Sequence, residues 1–117
     1  MPSHRIDRLS KDVKRELADI FAEMKDPRVG TLLSVMRVEV TSDLAYAKVY
    51  VGSLEGGERA REAVEALTSA AGHVRSELAK RLRARKAPEL RFIADDSTDY
   101  YQKINTIIEG FHDEQQD

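Results

Sequence analysis

The sequence predicts an α+β fold, a three-stranded sheet with helices over one face, and three observations carry that prediction. Apolar residues recur at spacings of three and four over the first 25 residues, two stretches between residues 32 and 51 alternate apolar with polar, and a second helical stripe starts near residue 59 and runs past a glycine. The order helix, strand, strand, interrupted helix, strand, helix gives strands that can share one layer and helices that can cover one side of it.

In the first element Ile6, Leu9, Val13, Leu17, Ile20, Phe21 and Met24 fall on one helical face, so a helix is expected over Ile6–Lys25. Ser3 can cap its start, and Pro27 disfavours helical geometry at Asp26 and sets its stop. Leu32–Thr41 is rich in β-branched residues and reads as a half-buried strand, with Met36, Val38 and Val40 opposing Arg37, Glu39 and Thr41. Ser42-Asp43 supply turn chemistry, and Ala45–Val51 alternates again, with Tyr46, Lys48 and Tyr50 on one face. The two strands are expected to form a hairpin.

Gly52 and the Glu55-Gly56-Gly57-Glu58 run then release the chain into a loop. From Arg59, the positions Val64, Leu67, Ala71, Val74, Leu78 and Leu82 keep one apolar stripe through Gly72. A glycine inside a helix costs about 1 kcal/mol relative to alanine, so Gly72 is expected to mark a kink between two helices, the second running on to Lys86 before Pro88. Leu90–Ala94 is the third strand. Asp96 or Ser97 can cap a closing helix through Tyr100, Tyr101, Ile104, Ile107, Ile108 and Phe111, and Asp113–Asp117 is expected to fray. With 117 residues and no linker, residues 1–112 are expected to form one domain.

Charge is unevenly placed. The net charge is −2, yet residues 73–91 carry seven Lys/Arg against two Asp/Glu, while residues 92–117 carry one against seven. A local excess of this kind can attract phosphate even when the whole chain is acidic. The absence of cysteine excludes disulfides, thiolate metal sites and thiol nucleophiles and suits a reducing compartment. No apolar run approaches the ~20 residues of a membrane span, and the N-terminus lacks the apolar core of a secretory signal, so an unprocessed cytoplasmic protein is expected.

Four ordered blocks carry a family likeness: Asp26-Pro27-Arg28, Thr41-Ser42-Asp43-Leu44, Ala70-Ala71-Gly72 followed by Val74-Arg75-Ser76-Glu77-Leu78, and Pro88-Glu89-Leu90-Arg91-Phe92 with Asp95-Asp96-Ser97. Together they resemble ribosome-binding factor A over nearly the whole chain. The resemblance implies a KH-like fold of type II topology, in which an Ala-x-Gly helical kink replaces the usual Gly-x-x-Gly loop, and Ala70 and Gly72 stand at those positions. It further implies a factor that binds free small (30S) ribosomal subunits and assists late maturation of 16S rRNA. Such a factor matters most in the cold, lies near the decoding region and leaves with help from a GTPase. Without the Gly-x-x-Gly loop, the usual clamp on four nucleotides is not available in its standard form, which favours binding by shape and charge.

On a helix starting at Val74, a turn of about 100° per residue sets Arg75, Lys80, Arg83 and Lys86 away from the stripe of Val74, Leu78 and Leu82. Arg81 and Arg85 fall closer to that stripe and must snorkel. Phosphate neutralisation is the chemistry these residue types suit, and Ala70, Gly72, His73, Arg75, Lys80, Arg81, Arg83, Arg85 and Lys86 form the expected RNA-binding set. A solvated basic helix face is the plain alternative for the cations, as is a simple packing role for Gly72. On the first helix, Arg5, Arg8, Lys11, Lys14 and Arg15 alternate with acids and are expected to form i,i+4 pairs. Arg28 is expected to bind Asp26 in the turn, and Tyr46 and Tyr50 are weaker candidates for base stacking.

Asp95-Asp96 suit helix capping better than acid catalysis, and His4, His73 and His112 lack ligand spacing. No catalytic arrangement or phosphate-cradling glycine loop is visible. A monomeric, cofactor-free, non-enzymatic binding protein is therefore expected. The rivals are a protein adaptor that uses the basic residues as a rim, and a nuclease built on Asp95 and Asp96.

Overall fold

The computed structural model describes residues 4–29 and 32–95. In chain order these form α1 (His4–Glu23), β1 (Leu33–Val40), β2 (Tyr46–Ser53), α2 (Gly57–Ser69), α3 (Ala71–Arg81) and β3 (Glu89–Ala94). The expected closing helix, the Ser3 cap and the 113–117 tail lie outside the described residues.

β2 is the central strand because its inward residues Ala47, Val49 and Val51 are small or branched and fully buried. β1 pairs with it antiparallel through the hairpin, and β3 pairs with it parallel after the α2–α3 crossover, which gives the order β1-β2-β3. The hairpin turn closes with the Leu44 amide on the Thr41 carbonyl at 2.9 Å. Asp43 Oδ1 accepts from the Thr41 hydroxyl at 2.6 Å and from the Ala45 amide at 3.0 Å, and these bonds hold its carboxyl below the usual range.

The strand alternation expected for β1 is broken at its centre. Register shifts between Val35 and Arg37, so Val35 pairs with Val51 and Arg37 with Tyr50, and Met36 is the extra residue. Val35, Val38 and Val40 point into the core, whereas Met36 is 43% exposed instead of inward-facing. An apolar residue on either side of the slip hides it from the hydropathy pattern.

α1 packs on β1, and α2 packs on β2 and β3. Val13, Leu17, Ile20 and Phe21 from α1 meet Leu67 of α2, Val74 and Leu78 of α3 and the sheet in one core. The Phe21 and Phe92 rings lie 6.1 Å apart at 53°, a tilted aromatic contact. Ala60, Ala63 and Ala66 are buried on α2, which lets that helix approach the strands closely. Fully buried leucines such as Leu17, Leu67 and Leu78 each contribute about 2 kcal/mol.

α1 is displaced by two residues at each end from the expected Ile6–Lys25, and two boundaries in the α2–α3 pair differ in ways that bear on the site. The bend falls at Ala70, not at Gly72: α2 ends at Ser69, Ala70 takes φ −97 and ψ 11, and α3 starts at Ala71. Hydrogen bonds run into and out of the junction, Ala70 amide to Ala66 carbonyl at 3.1 Å and Val74 amide to Ala70 carbonyl at 2.9 Å, so the bend costs few bonds. α3 then stops at Arg81, five residues before Lys86. The apolar stripe ends at Leu82, and Arg83 adopts φ 56, a left-handed stop. Its amide donates to the Lys80 carbonyl at 3.1 Å and the Ala84 amide to the Ala79 carbonyl at 3.0 Å, the paired bonds of a Schellman ending. A non-glycine residue there costs about 1 kcal/mol.

Candidate nucleic-acid interface

The two ends of α3 carry most of the expected site, and the packing of α2 and α3 decides which side chains are available. At the first end Gly72 is exposed in the opening turn of the helix. A Cβ built there would meet nothing within 4 Å, and no left-handed backbone demands glycine. The fold therefore does not require the bare position. His73 beside it is exposed, and Ala70 and Ala71 are half-buried, so the corner presents a small, low-relief surface.

The expected cations separate into two groups. Arg75 Nε donates to the Ala87 carbonyl at 2.9 Å, tying α3 to the approach to β3. Arg81 donates to Glu23 at the end of α1, and its Nε stands 3.6 Å from Glu77 Oε1, an ionic contact too long for a hydrogen bond. These two arginines join elements. Lys80, Arg83, Arg85 and Lys86 are exposed, and their side chains have no hydrogen-bond or ion-pair partner among the described residues. Because α3 ends at Arg81, Arg83, Arg85 and Lys86 project from the turn leading to buried Pro88 and not from a helix face. Four cations unpaired among the described residues, within seven positions, make this corner electropositive, while the nearby acids Glu23 and Glu77 are already engaged with Arg81.

On α1, Arg15 reaches Asp12 at 3.4 Å and Glu16 at 3.6 Å, at spacings of three and one in place of the expected four. Arg5, Arg8, Lys11 and Lys14 have no ion-pair partner among the described residues. Arg28 closes the turn after α1 as expected, with Nε 3.2 Å and Nη2 3.0 Å from the Asp26 carboxylate. That fork holds the Asp26 carboxyl below its usual range and raises the Arg28 guanidinium.

On the open face of the sheet, Arg37 lies 4.1 Å over the Tyr50 ring and Arg91 lies 4.8 Å over the Tyr46 ring. Strand alternation puts Tyr46 and Tyr50 on a common face, but these guanidinium caps come from neighbouring strands and carry no signal in the local pattern. A base stacked here would meet an arginine plane before a tyrosine. Among the described residues no group of three or more His, Cys, Asp or Glu side chains could hold a metal ion, and no helix is long and apolar enough to cross a membrane.

A mixed three-stranded sheet in the chain order helix, strand, strand, helix, helix, strand, with a bare helical corner and a run of cations unpaired among the described residues, defines an α+β fold with a cationic edge. The sequence profile of ribosome-binding factor A matches residues 5–108, and the chain belongs to that family. It is 41% identical over 115 residues to ribosome-binding factor A of Caldanaerobacter subterraneus subsp. tengcongensis, covering 97% of this chain and 94% of the relative. The crystal structure of ribosome-binding factor A from Thermus thermophilus superposes with a TM-score of 0.67 at 32% identity, over 76% of this chain and 93% of that one. A homology model of the Thermus thermophilus factor, fitted into a cryo-EM map of a complex of the 30S subunit with ribosome-binding factor A, gives a TM-score of 0.61 at 32% identity, over 80% and 93% of the two chains.

Proposed function

We propose that this protein binds the free small ribosomal subunit through RNA phosphates, using the two ends of α3, and assists late maturation of 16S rRNA without covalent chemistry. The observation that carries the binding mode is the run Lys80, Arg83, Arg85 and Lys86, exposed and without acidic partners among the described residues. An arginine offers a planar fork to two phosphate oxygens and a lysine a mobile point charge, so such a run fits an RNA backbone. Family membership and the 30S complex of the Thermus relative support the choice of partner.

Ala70, Gly72 and His73 extend the footprint along the first turn of α3, where an RNA backbone can come close to the bare glycine. Arg75 and Arg81 hold this surface in place through Ala87 and Glu23. In this proposal the protein acts as a cytoplasmic monomer, matters most during growth in the cold, and is released with help from a GTPase.

The test is a triple change that spares the two structural arginines. Lys80, Arg85 and Lys86 replaced together by Glu should abolish pelleting with small subunits while circular dichroism and thermal unfolding stay within the range of the unaltered protein. Retained binding would move the footprint to Arg5, Arg8, Lys11 and Lys14 on α1.

A further inference from the structure

We infer that Arg83 is a dedicated phosphate-contacting residue, held at the helix stop at a cost in stability that packing does not offset. The inference rests on the RNA-binding proposal and sharpens it to one side chain and one ligand group. Two non-glycine residues among those described have a left-handed backbone, Leu44 at φ 61 and Arg83 at φ 56. They differ in what accompanies the strain. Leu44 packs against the hydrophobic core, and its buried apolar surface compensates for its conformation. Arg83 is exposed, and its side chain has no hydrogen-bond or ion-pair partner among the described residues.

Glycine is the usual occupant of this position because it has no Cβ to crowd the carbonyl. Charge on the helix end does not explain the arginine, since Lys80 and Arg81 already supply cations in the last turn of α3. Backbone donors do not explain it either. A left-handed turn can expose successive amides as an anion cradle, but here the Arg83 and Ala84 amides both donate to helix carbonyls. With these two amides engaged, the left-handed turn itself offers no amide cradle, and the Arg83 side chain is the group left to meet an anion. Arg83 lies just past the end of α3, between Lys80 and the Arg85-Lys86 pair in sequence and exposed like them, so its guanidinium fork can take two oxygens of one RNA phosphate while its neighbours neutralise adjacent ones.

The experiment compares Arg83→Gly and Arg83→Lys in the full chain, measuring thermal unfolding together with affinity for purified small subunits and for a short RNA hairpin over a salt series. Arg83→Gly should unfold several degrees higher, bind at least tenfold more weakly, and lose roughly 0.7–0.9 from its log–log salt slope. Arg83→Lys should keep the wild-type unfolding temperature and salt slope but bind several-fold more weakly, because the fork is lost and the charge retained. Unchanged binding by Arg83→Gly, or no gain in its unfolding temperature, would overturn the inference. Failure of the unaltered protein to bind small subunits would sink the ribosomal proposal instead, and the hairpin comparison would then decide the role of Arg83 by itself.

Discussion

Replacing Gly72 by alanine should make the protein more stable and worse at its task. Gly72 is exposed in the first turn of α3, its backbone is not left-handed, and a Cβ there meets nothing within 4 Å. With no clash to offset it, the helical preference of alanine remains, about 0.5–1 kcal/mol. For a domain of this size that raises the unfolding temperature by about 2–6 °C. If RNA backbone seats against the bare position, the new methyl intrudes on the complex and costs about 1–3 kcal/mol, a roughly 5- to 150-fold loss of affinity. Thermal unfolding followed by circular dichroism and a sedimentation titration with small subunits read the two effects separately. A variant that gains stability and binds like the unaltered protein would refute the close-approach role, and one that loses stability would refute the steric picture of the corner.

Arg75→Ala should destabilise the protein by about 1–2 kcal/mol in urea unfolding, because the Ala87 carbonyl loses its donor, and should weaken subunit binding less than Lys80→Ala does. Leu17→Ala should cost about 2–5 kcal/mol, whereas Met36→Ala at the exposed bulge should cost under about 1 kcal/mol; similar losses at both would contradict the β1 register. The Asp43 carboxyl, held below its usual 3.8 by the Thr41 hydroxyl and the Ala45 amide, contributes stability that is present above 3.8 and lost as pH falls through its lowered value. Asp43→Asn keeps an acceptor oxygen but not the titration, so it should be less stable than the unaltered protein at neutral pH and converge with it in acid. Parallel curves for the two proteins across that range would contradict the assignment.

The elements set by hydropathy period were legible in the sequence. Val13, Leu17 and Ile20 mark the buried face of α1, and Ala47, Val49 and Val51 mark that of β2, because in each case burial follows a regular spacing. Features that depend on partners distant in sequence were not. Arg75 and Arg81 looked like members of one basic run, yet Ala87 lies 12 residues from the first and Glu23 lies 58 residues from the second. The Met36 bulge left no trace because both phases of the strand offer apolar residues. The helix bend was drawn to Gly72, the weakest helix former nearby, but the chain bends at Ala70, whose conformation needs no glycine. Arginine gives no signal for a left-handed stop, so the end of α3 at Arg81 was hidden, and with it the fact that Arg83, Arg85 and Lys86 lie on a turn.

Co-sedimentation of the purified protein with isolated small subunits, large subunits and joined ribosomes over a salt series puts the proposed function to its most direct test. The protein should pellet with small subunits at low salt and much less with the other two particles. Four phosphate contacts from Lys80, Arg83, Arg85 and Lys86 predict release with a log–log slope of about 3. Absence from the small-subunit pellet at low salt, equal binding to all three particles, or binding that salt leaves unchanged would contradict it.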